Sequence, residues 1–180
     1  MTVKNLLFFD CETGGLSPRK ADMVEAAWIL TDPSGREVLS RVALRIFPKR
    51  PVDRRAAAVN GYNPWVWQET AHDLQSVMDC LLADAQDACF VAHNAPFDWR
   101  FVEAALVALD RRWTGSHRRF CTRSAAAPLQ KAGRVGSVKL EELTRYFGIP
   151  HVAHRAAGDI EATRQVYLRL RERYPEVLTP

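Results

Sequence analysis

Apolar and polar positions change period several times along the chain, and each change marks an element. Leu6 to Asp10 is a short apolar run that reads as a buried strand. From Met23 to Thr31 the period is two, with Val24, Ala26, Trp28 and Leu30 on one face. Pro33-Ser34-Gly35 is a turn, and Val38 to Phe47 reads as a third strand. A connection this short makes the last two strands antiparallel. Beyond them the period lengthens. Arg54 to Val59 predicts a short helix ending near Gly61, and Asp73 to Ala83 a helix with Leu74, Val77, Met78, Leu81 and Leu82 on one stripe. Cys89 to Ala92 is a brief buried strand. Pro96 to Leu109 is a helix opened by proline, which needs no N–H donor there.

The remaining pattern is sparser. Phe120-Cys121-Thr122 is a candidate fifth strand. Leu140 to Phe147 is a helix stopped by Gly148 as a left-handed cap, then Ile149 and Pro150. The last helix runs from about Gly158 to Tyr174, with Ile160, Thr163, Val166, Tyr167 and Leu170 inward. Thr114 to Val138, rich in Gly, Ser and basic residues, is expected to be a mobile loop. Trp65 and Trp67 read as the apolar face of a short helix, with a cover over a cleft as the alternative. Strands first, then strands alternating with helices, predict an α/β layered domain on a mixed sheet. No repeat or linker divides residues 1–180, so a single domain is expected.

Composition narrows the class. A chain of 180 residues, 47% hydrophobic and 26% charged, can bury a globular core. No apolar run is long enough for a membrane span, so no membrane partner is expected. The opening Met1-Thr2-Val3-Lys4-Asn5 has no signal-peptide pattern, which makes the cytoplasm the expected location. Cysteines 11, 80, 89 and 121 lack CxxC spacing and read as reduced, mostly buried thiols rather than zinc ligands or disulfides. A net charge of +4 is mild, but it is unevenly spread. No Asp or Glu falls between Arg111 and Lys139, a stretch that includes Arg112, Arg118, Arg119, Arg123, Lys131 and Arg134. A second run holds Arg45, Lys49, Arg50, Arg54 and Arg55. Solvated loops and phosphate contacts are both open readings of these runs.

Three short patterns carry the chemistry. In Phe9-Asp10-Cys11-Glu12-Thr13-Gly14, residues two apart share a strand face, so Asp10 and Glu12 point together and Cys11 points into the opposite layer. Adjacent carboxylates repel unless cations neutralise them. In His93-Asn94-Ala95-Pro96-Phe97-Asp98, Asp98 falls in the first helical turn, where the dipole favours negative charge. Asn94 is placed to cap that helix, and His93 reads as structural. In His154-Arg155-Ala156-Ala157-Gly158-Asp159, the five-residue spacing would separate the two side chains by about 140° on one helix. Both face one pocket if His154 sits on the preceding loop. Each pattern alone has an ordinary explanation as a cap, a strand edge or a surface histidine. Their joint occurrence, each at an element end, points to divalent cations held against a phosphodiester.

These residues resemble the DEDDh 3′–5′ exonucleases, the family that includes the proofreading subunit of bacterial replicative DNA polymerase. Asp10-Cys11-Glu12-Thr13-Gly14-Gly15-Leu16 is similar to the first family motif, Val91 to Asp98 to the second, and His154-x4-Asp159 with Ala162-Thr163 to the third. The resemblance implies a ribonuclease-H-like mixed five-stranded sheet flanked by helices. It implies two Mg²⁺ or Mn²⁺ ions on Asp10, Glu12, Asp98 and Asp159, with Asp10 bridging and His154 as general base. Thr13, Gly14, Gly15, Leu16, Asn94 and Phe97 are the expected substrate contacts, with core packing the alternative for Leu16 and Phe97. Two departures stand out. Asn60 lies where relatives often carry His, and Cys121-Thr122 where Asp-Thr is frequent.

The expected reaction is metal-dependent hydrolysis at a nucleic-acid 3′ end, single-stranded or frayed, releasing nucleoside 5′-monophosphates. DNA is the first expectation. The alternatives are a 3′–5′ exoribonuclease trimming RNA and an inactive 3′-end-binding module. Polymerase association is a further implied partner, with no C-terminal tail in the sequence to support it; oligomeric state is left open.

Overall fold

The computed structural model describes residues 5–151 and 156–175. A mixed sheet runs β1 (Leu6–Thr13), β2 (Met23–Thr31) and β3 (Val38–Arg45), followed by the helices α1 (Arg54–Asn60), α2 (Pro64–Thr70) and α3 (Leu74–Asp84). Then come β4 (Cys89–Ala92), α4 (Ala95–Ala108), β5 (Arg119–Cys121), α5 (Thr122–Ala125), α6 (Ala127–Lys131), α7 (Leu140–Phe147) and α8 (Ala156–Arg173). The strand order is β3-β2-β1-β4-β5. The first three strands pair antiparallel, and β4 and β5 add in parallel to β1. This is the α/β mixed sheet that the pattern of strands and helices predicts.

Alternation along β1 divides the core. Leu7, Phe9 and Cys11 face α3 and α4, where Val77, Met78, Leu81, Phe101 and Val102 complete one layer. Leu6 and Phe8 face α8 through Ile160, Tyr167 and Leu168. On the first layer Trp28 is fully buried and donates its Nε1–H to Asp84 Oδ2 at 2.8 Å, so its polar tip is satisfied. On the second, the guanidinium of Arg164 donates to the Gly35 carbonyl at 2.9 Å and tethers α8 to the β2–β3 turn.

Several boundaries differ from the sequence expectation, each for a tertiary reason. β1 continues to Thr13 because β2 supplies partners as far as Glu12 and Thr13. Thr122 starts α5 instead of ending β5. The expected mobile loop from 114 to 138 holds β5, α5 and α6. Leu129 and Val135 anchor it by packing with Leu143, Phe147 and Val166. Isolated apolar residues at irregular spacing hide such a segment from periodicity. The thiols are also less uniform than expected: Cys11 and Cys89 are buried, Cys121 is partly buried and Cys80 is exposed.

Gly148 closes α7 in the left-handed conformation (φ 67°), with the Ile149 N–H donating to the Thr144 carbonyl at 2.8 Å. A Cβ there would meet nothing within 4 Å, so only backbone conformation opposes a side chain. Gly148→Ala is expected to cost about 1 kcal/mol by urea denaturation. No measurable cost would mean that the turn relaxes.

Candidate active site

β1 outruns its parallel neighbour. β4 pairs only with Leu6, Leu7 and Phe8, so the β4-side edge of β1 is left without a strand beyond them. Carboxyl ends of parallel strands are where open α/β sheets place their ligands. Here the Cys11 N–H meets the Asp98 carboxylate instead of a strand carbonyl, at 3.3 Å from Oδ1. The Cys11 thiol points to the same oxygen at 3.5 Å. Asp98 stands in the first turn of α4, so the helix N-terminus and the open strand edge hold one carboxyl between them.

Asp10 and Glu12 leave β1 on the opposite face, toward α8, whose first turn carries Asp159. One carboxylate oxygen from each of Asp10, Glu12 and Asp159 lies within 4.8 Å of the others. Asp98 does not join that tight group. It lines the same cavity of about 620 Å³ with all three. Asp98 and Asp159 are buried, while Asp10 and Glu12 are partly buried.

The electrostatics follow from the crowding. Burial, and then the negative charges of Asp98, Asp159 and Glu12, push the Asp10 carboxyl well above the ordinary carboxylate range. Burial raises Asp98 to about 7. The same enclosure, with Asp98 alongside, keeps the Cys11 thiol protonated. Hard oxygen donors gathered at this cost are a fit for divalent cations, which would offset the burial and repulsion that raise these carboxyls.

Of the other expected residues, Asn94 and Phe97 line the acidic cavity. Asn94 occupies the cap position of α4 but makes no side-chain cap hydrogen bond. The expected capping role is therefore corrected: with φ −124° and ψ 57° its backbone is not in the usual extended cap conformation. Phe97 packs on Phe101, with ring centroids 5.2 Å apart, and lines the cavity as well. Thr13, Gly14, Gly15 and Leu16 line a second cavity of about 800 Å³, which meets the first at Glu12. Leu16 is 84% exposed, so core packing does not account for it. Asn60 braces this loop, donating to the Thr13 carbonyl at 3.0 Å while its own oxygen accepts the Tyr62 N–H. Trp67 is buried, with its indole N–H on the Val24 carbonyl at 2.7 Å, while Trp65 is exposed; the helix-packing reading holds for Trp67. His154 lies outside the described residues.

His93 is structural, as its surroundings in the sequence suggest. Its Nε2–H donates to the Val138 carbonyl at 3.0 Å, and its Nδ1 lies 2.9 Å from the Thr122 hydroxyl. Burial lowers its pKa to about 4, so it is neutral near pH 7.

The sequence did not single out four of the cavity's residues. His151 places Nε2 2.5 Å from Asp159 Oδ1. Arg123, Lys139 and Glu141 also line the cavity. The two cations were visible as members of a basic run, with nothing to separate them from their neighbours. His151 and Glu141 carry no spacing signal.

Comparison with known proteins agrees with this geometry. The sequence profile of the exonuclease family matches residues 7–167. The chain belongs to that family, which hydrolyses phosphodiester bonds from strand ends. It is 31% identical to a DNA polymerase III subunit epsilon-like protein of Rhodobacter capsulatus over 166 residues, covering 90% of this chain and 23% of that one. It is 28% identical to the PolC-type DNA polymerase III of Thermotoga maritima over 167 residues, 91% of this chain and 12% of that one. The chain thus spans less than a quarter of these relatives. A zinc-bound complex of E. coli exonuclease I with single-stranded DNA superposes with a TM-score of 0.86 over 97% of this chain and 42% of that one, at 20% identity. That likeness establishes the ribonuclease-H-like fold. No helix among the described residues is long and apolar enough to cross a membrane.

Proposed function

We propose that the protein removes nucleotides from the 3′ end of single-stranded or frayed DNA and releases nucleoside 5′-monophosphates. In this reading Asp10, Glu12, Asp98 and Asp159 hold two Mg²⁺ or Mn²⁺ ions. The supporting observation is the gathering of these carboxylates from β1, α4 and α8 around one cavity. Their all-oxygen chemistry suits Mg²⁺ or Mn²⁺ better than a softer metal. When bound, such ions neutralise charge on the scissile phosphate and acidify the attacking water.

The chain's own residues do the rest. Asp10 has the other three carboxylates among its charged neighbours, which would suit it to hold both ions. The Cys11 N–H keeps Asp98 in one orientation. His154, just before α8, accepts the proton of the attacking water. Gly14, Gly15 and Leu16 pack on the terminal sugar and base, with Thr13 holding the loop through its hydroxyl on the Gly15 carbonyl at 2.8 Å. Phe97 and Asn94 line the adjoining acidic cavity. Apolar packing is blind to base identity, so little sequence preference is expected. The preference for DNA draws on the relatives, named as DNA polymerases, and on the exonuclease I–DNA complex.

The test is digestion of matched 5′-labelled DNA and RNA oligomers after chelation, with Mg²⁺ or Mn²⁺ then restored. Stepwise shortening of DNA with mononucleotide release is expected. Faster shortening of RNA would make the protein a 3′ RNA trimmer. Binding of 3′ ends without release would make it a binding module. His154→Ala should lower turnover roughly 10²- to 10⁴-fold while Mn²⁺ affinity by calorimetry stays within a few-fold. Equal loss of both would assign His154 a structural role.

A further inference from the structure

The basic stretch between Arg111 and Lys139 sorts itself by partner. Arg111 pairs with Asp79 at 3.1 Å. Arg119 lies over the Trp99 ring at 4.1 Å, and Arg134 over Tyr174 at 5.3 Å. Arg112, Arg118 and Lys131 are exposed, and the acidic cavity does not include them. Arg123 and Lys139 are placed differently. Among the described residues neither makes an ion pair, both are exposed, and both line the acidic cavity. Exposed yet lining the cavity, these two cations stand at its rim.

Their placement is built. Arg123 follows Thr122, Lys139 follows Val138, and the His93 ring bridges Thr122 and Val138. The Arg123 N–H also donates to the His93 carbonyl at 3.1 Å. One neutral histidine at the end of β4 thus joins the two segments that carry the cations. Beyond them a groove of about 300 Å³, lined by Asn94, Arg123, Ser124 and Val138, shares Asn94 and Arg123 with the acidic cavity. The Gly14–Leu16 cavity meets the acidic cavity at Glu12, and the acidic cavity meets this groove at Asn94 and Arg123.

We infer that Arg123 and Lys139 hold the phosphates upstream of the scissile bond, and that His93 positions them. The strand then enters over the groove beside Arg123, and its 3′ terminus reaches the cavity at Gly14 to Leu16. This rests on the exonuclease reading for the identity and polarity of the strand. The binding chemistry itself needs only a polyanion longer than one nucleotide.

Equilibrium binding of 5′-labelled oligothymidylates of one to six nucleotides, with metal chelated, tests it. The wild type should gain affinity steeply with length. Arg123→Gln and Lys139→Gln should each weaken hexamer binding about tenfold, the worth of one charge-assisted contact. The double variant should bind the monomer and hexamer with similar affinity. Its salt dependence, as log K against log salt, should be shallower by roughly 1.4, about 0.7 per lost phosphate contact on a single strand. His93→Leu should flatten the salt dependence while both cations remain. A lowered melting temperature with the wild-type salt slope would overturn the positioning role. Unchanged length dependence in the double variant, or a loss confined to Mn²⁺ affinity, would overturn the phosphate assignment. If the wild type showed the length dependence yet released no mononucleotide with Mn²⁺ restored, the exonuclease reading would fail and this assignment would stand.

Discussion

Asp10→Asn is expected to lower mononucleotide release on the order of 10³-fold and, with metal chelated, to raise the melting temperature at pH 8. The two effects have one cause. Asp10 sits where burial and four neighbouring carboxylates all oppose its charge. In the proposed site that opposition would favour a bound cation, so the neutral isostere removes a ligand that would serve both ions. Loss of about 4 kcal/mol of transition-state stabilisation corresponds to such a rate. Without metal the same opposition is a liability. An amide of the same shape removes a negative charge that the cavity repels, and relieves Glu12 and Asp159 beside it. Digestion of a 5′-labelled oligomer measures the first effect, and thermal melting in chelator the second. Turnover within tenfold of wild type would remove Asp10 from the metal site. A lower melting temperature would show that its carboxylate stabilises the fold.

The second large effect is a linkage between metal, pH and stability. Asp98 titrates at about 7 in the folded chain against roughly 3.9 when unfolded. A raised carboxyl contributes stability that is complete below the unfolded pKa and lost as pH climbs through the folded one. Three units correspond to on the order of 4 kcal/mol lost between pH 4 and 8, and Asp10 acts in the same direction. His93 acts the other way. Its folded pKa of about 4 lies below the ordinary 6.5, so its contribution grows as pH rises between those values and is constant above them. The chelated protein should therefore lose stability most visibly above pH 6.5. Divalent ions bind the ionised carboxylates, so their stabilisation grows over the same range. The gap in melting temperature between Mg²⁺-loaded and chelated protein should widen by about 10 °C from pH 5.5 to pH 8. A gap independent of pH would mean that these carboxyls do not hold the ion.

Both expectations depend on features that differ in how openly the sequence displays them. Asp10 and Glu12 were legible as a pair because strand alternation places them on one face whatever surrounds the strand. The resemblance to the family motifs implied Asp98 and Asp159 as partners. They did not show that Asp159 joins the close oxygen cluster while Asp98 is held apart by the Cys11 N–H. That distinction arises because β4 stops pairing at Phe8, a consequence of strand lengths in three dimensions. Cys11 was expected in the opposite layer, and it is there. Its contact with Asp98 follows only because α4 packs on that layer.

By itself, the sequence determined the order and type of the main elements, the two faces of β1 and the acidic residues at element ends. All of these depend on local periodicity, caps and short-range spacing. Only the tertiary structure decided how the segment from 114 to 138 packs, which basic residues reach the acidic cavity, and that His151 meets Asp159 and His93 joins two distant segments. Those relations form between residues far apart in sequence. Their energies come from burial and hydrogen bonding across the fold, and no local pattern encodes them.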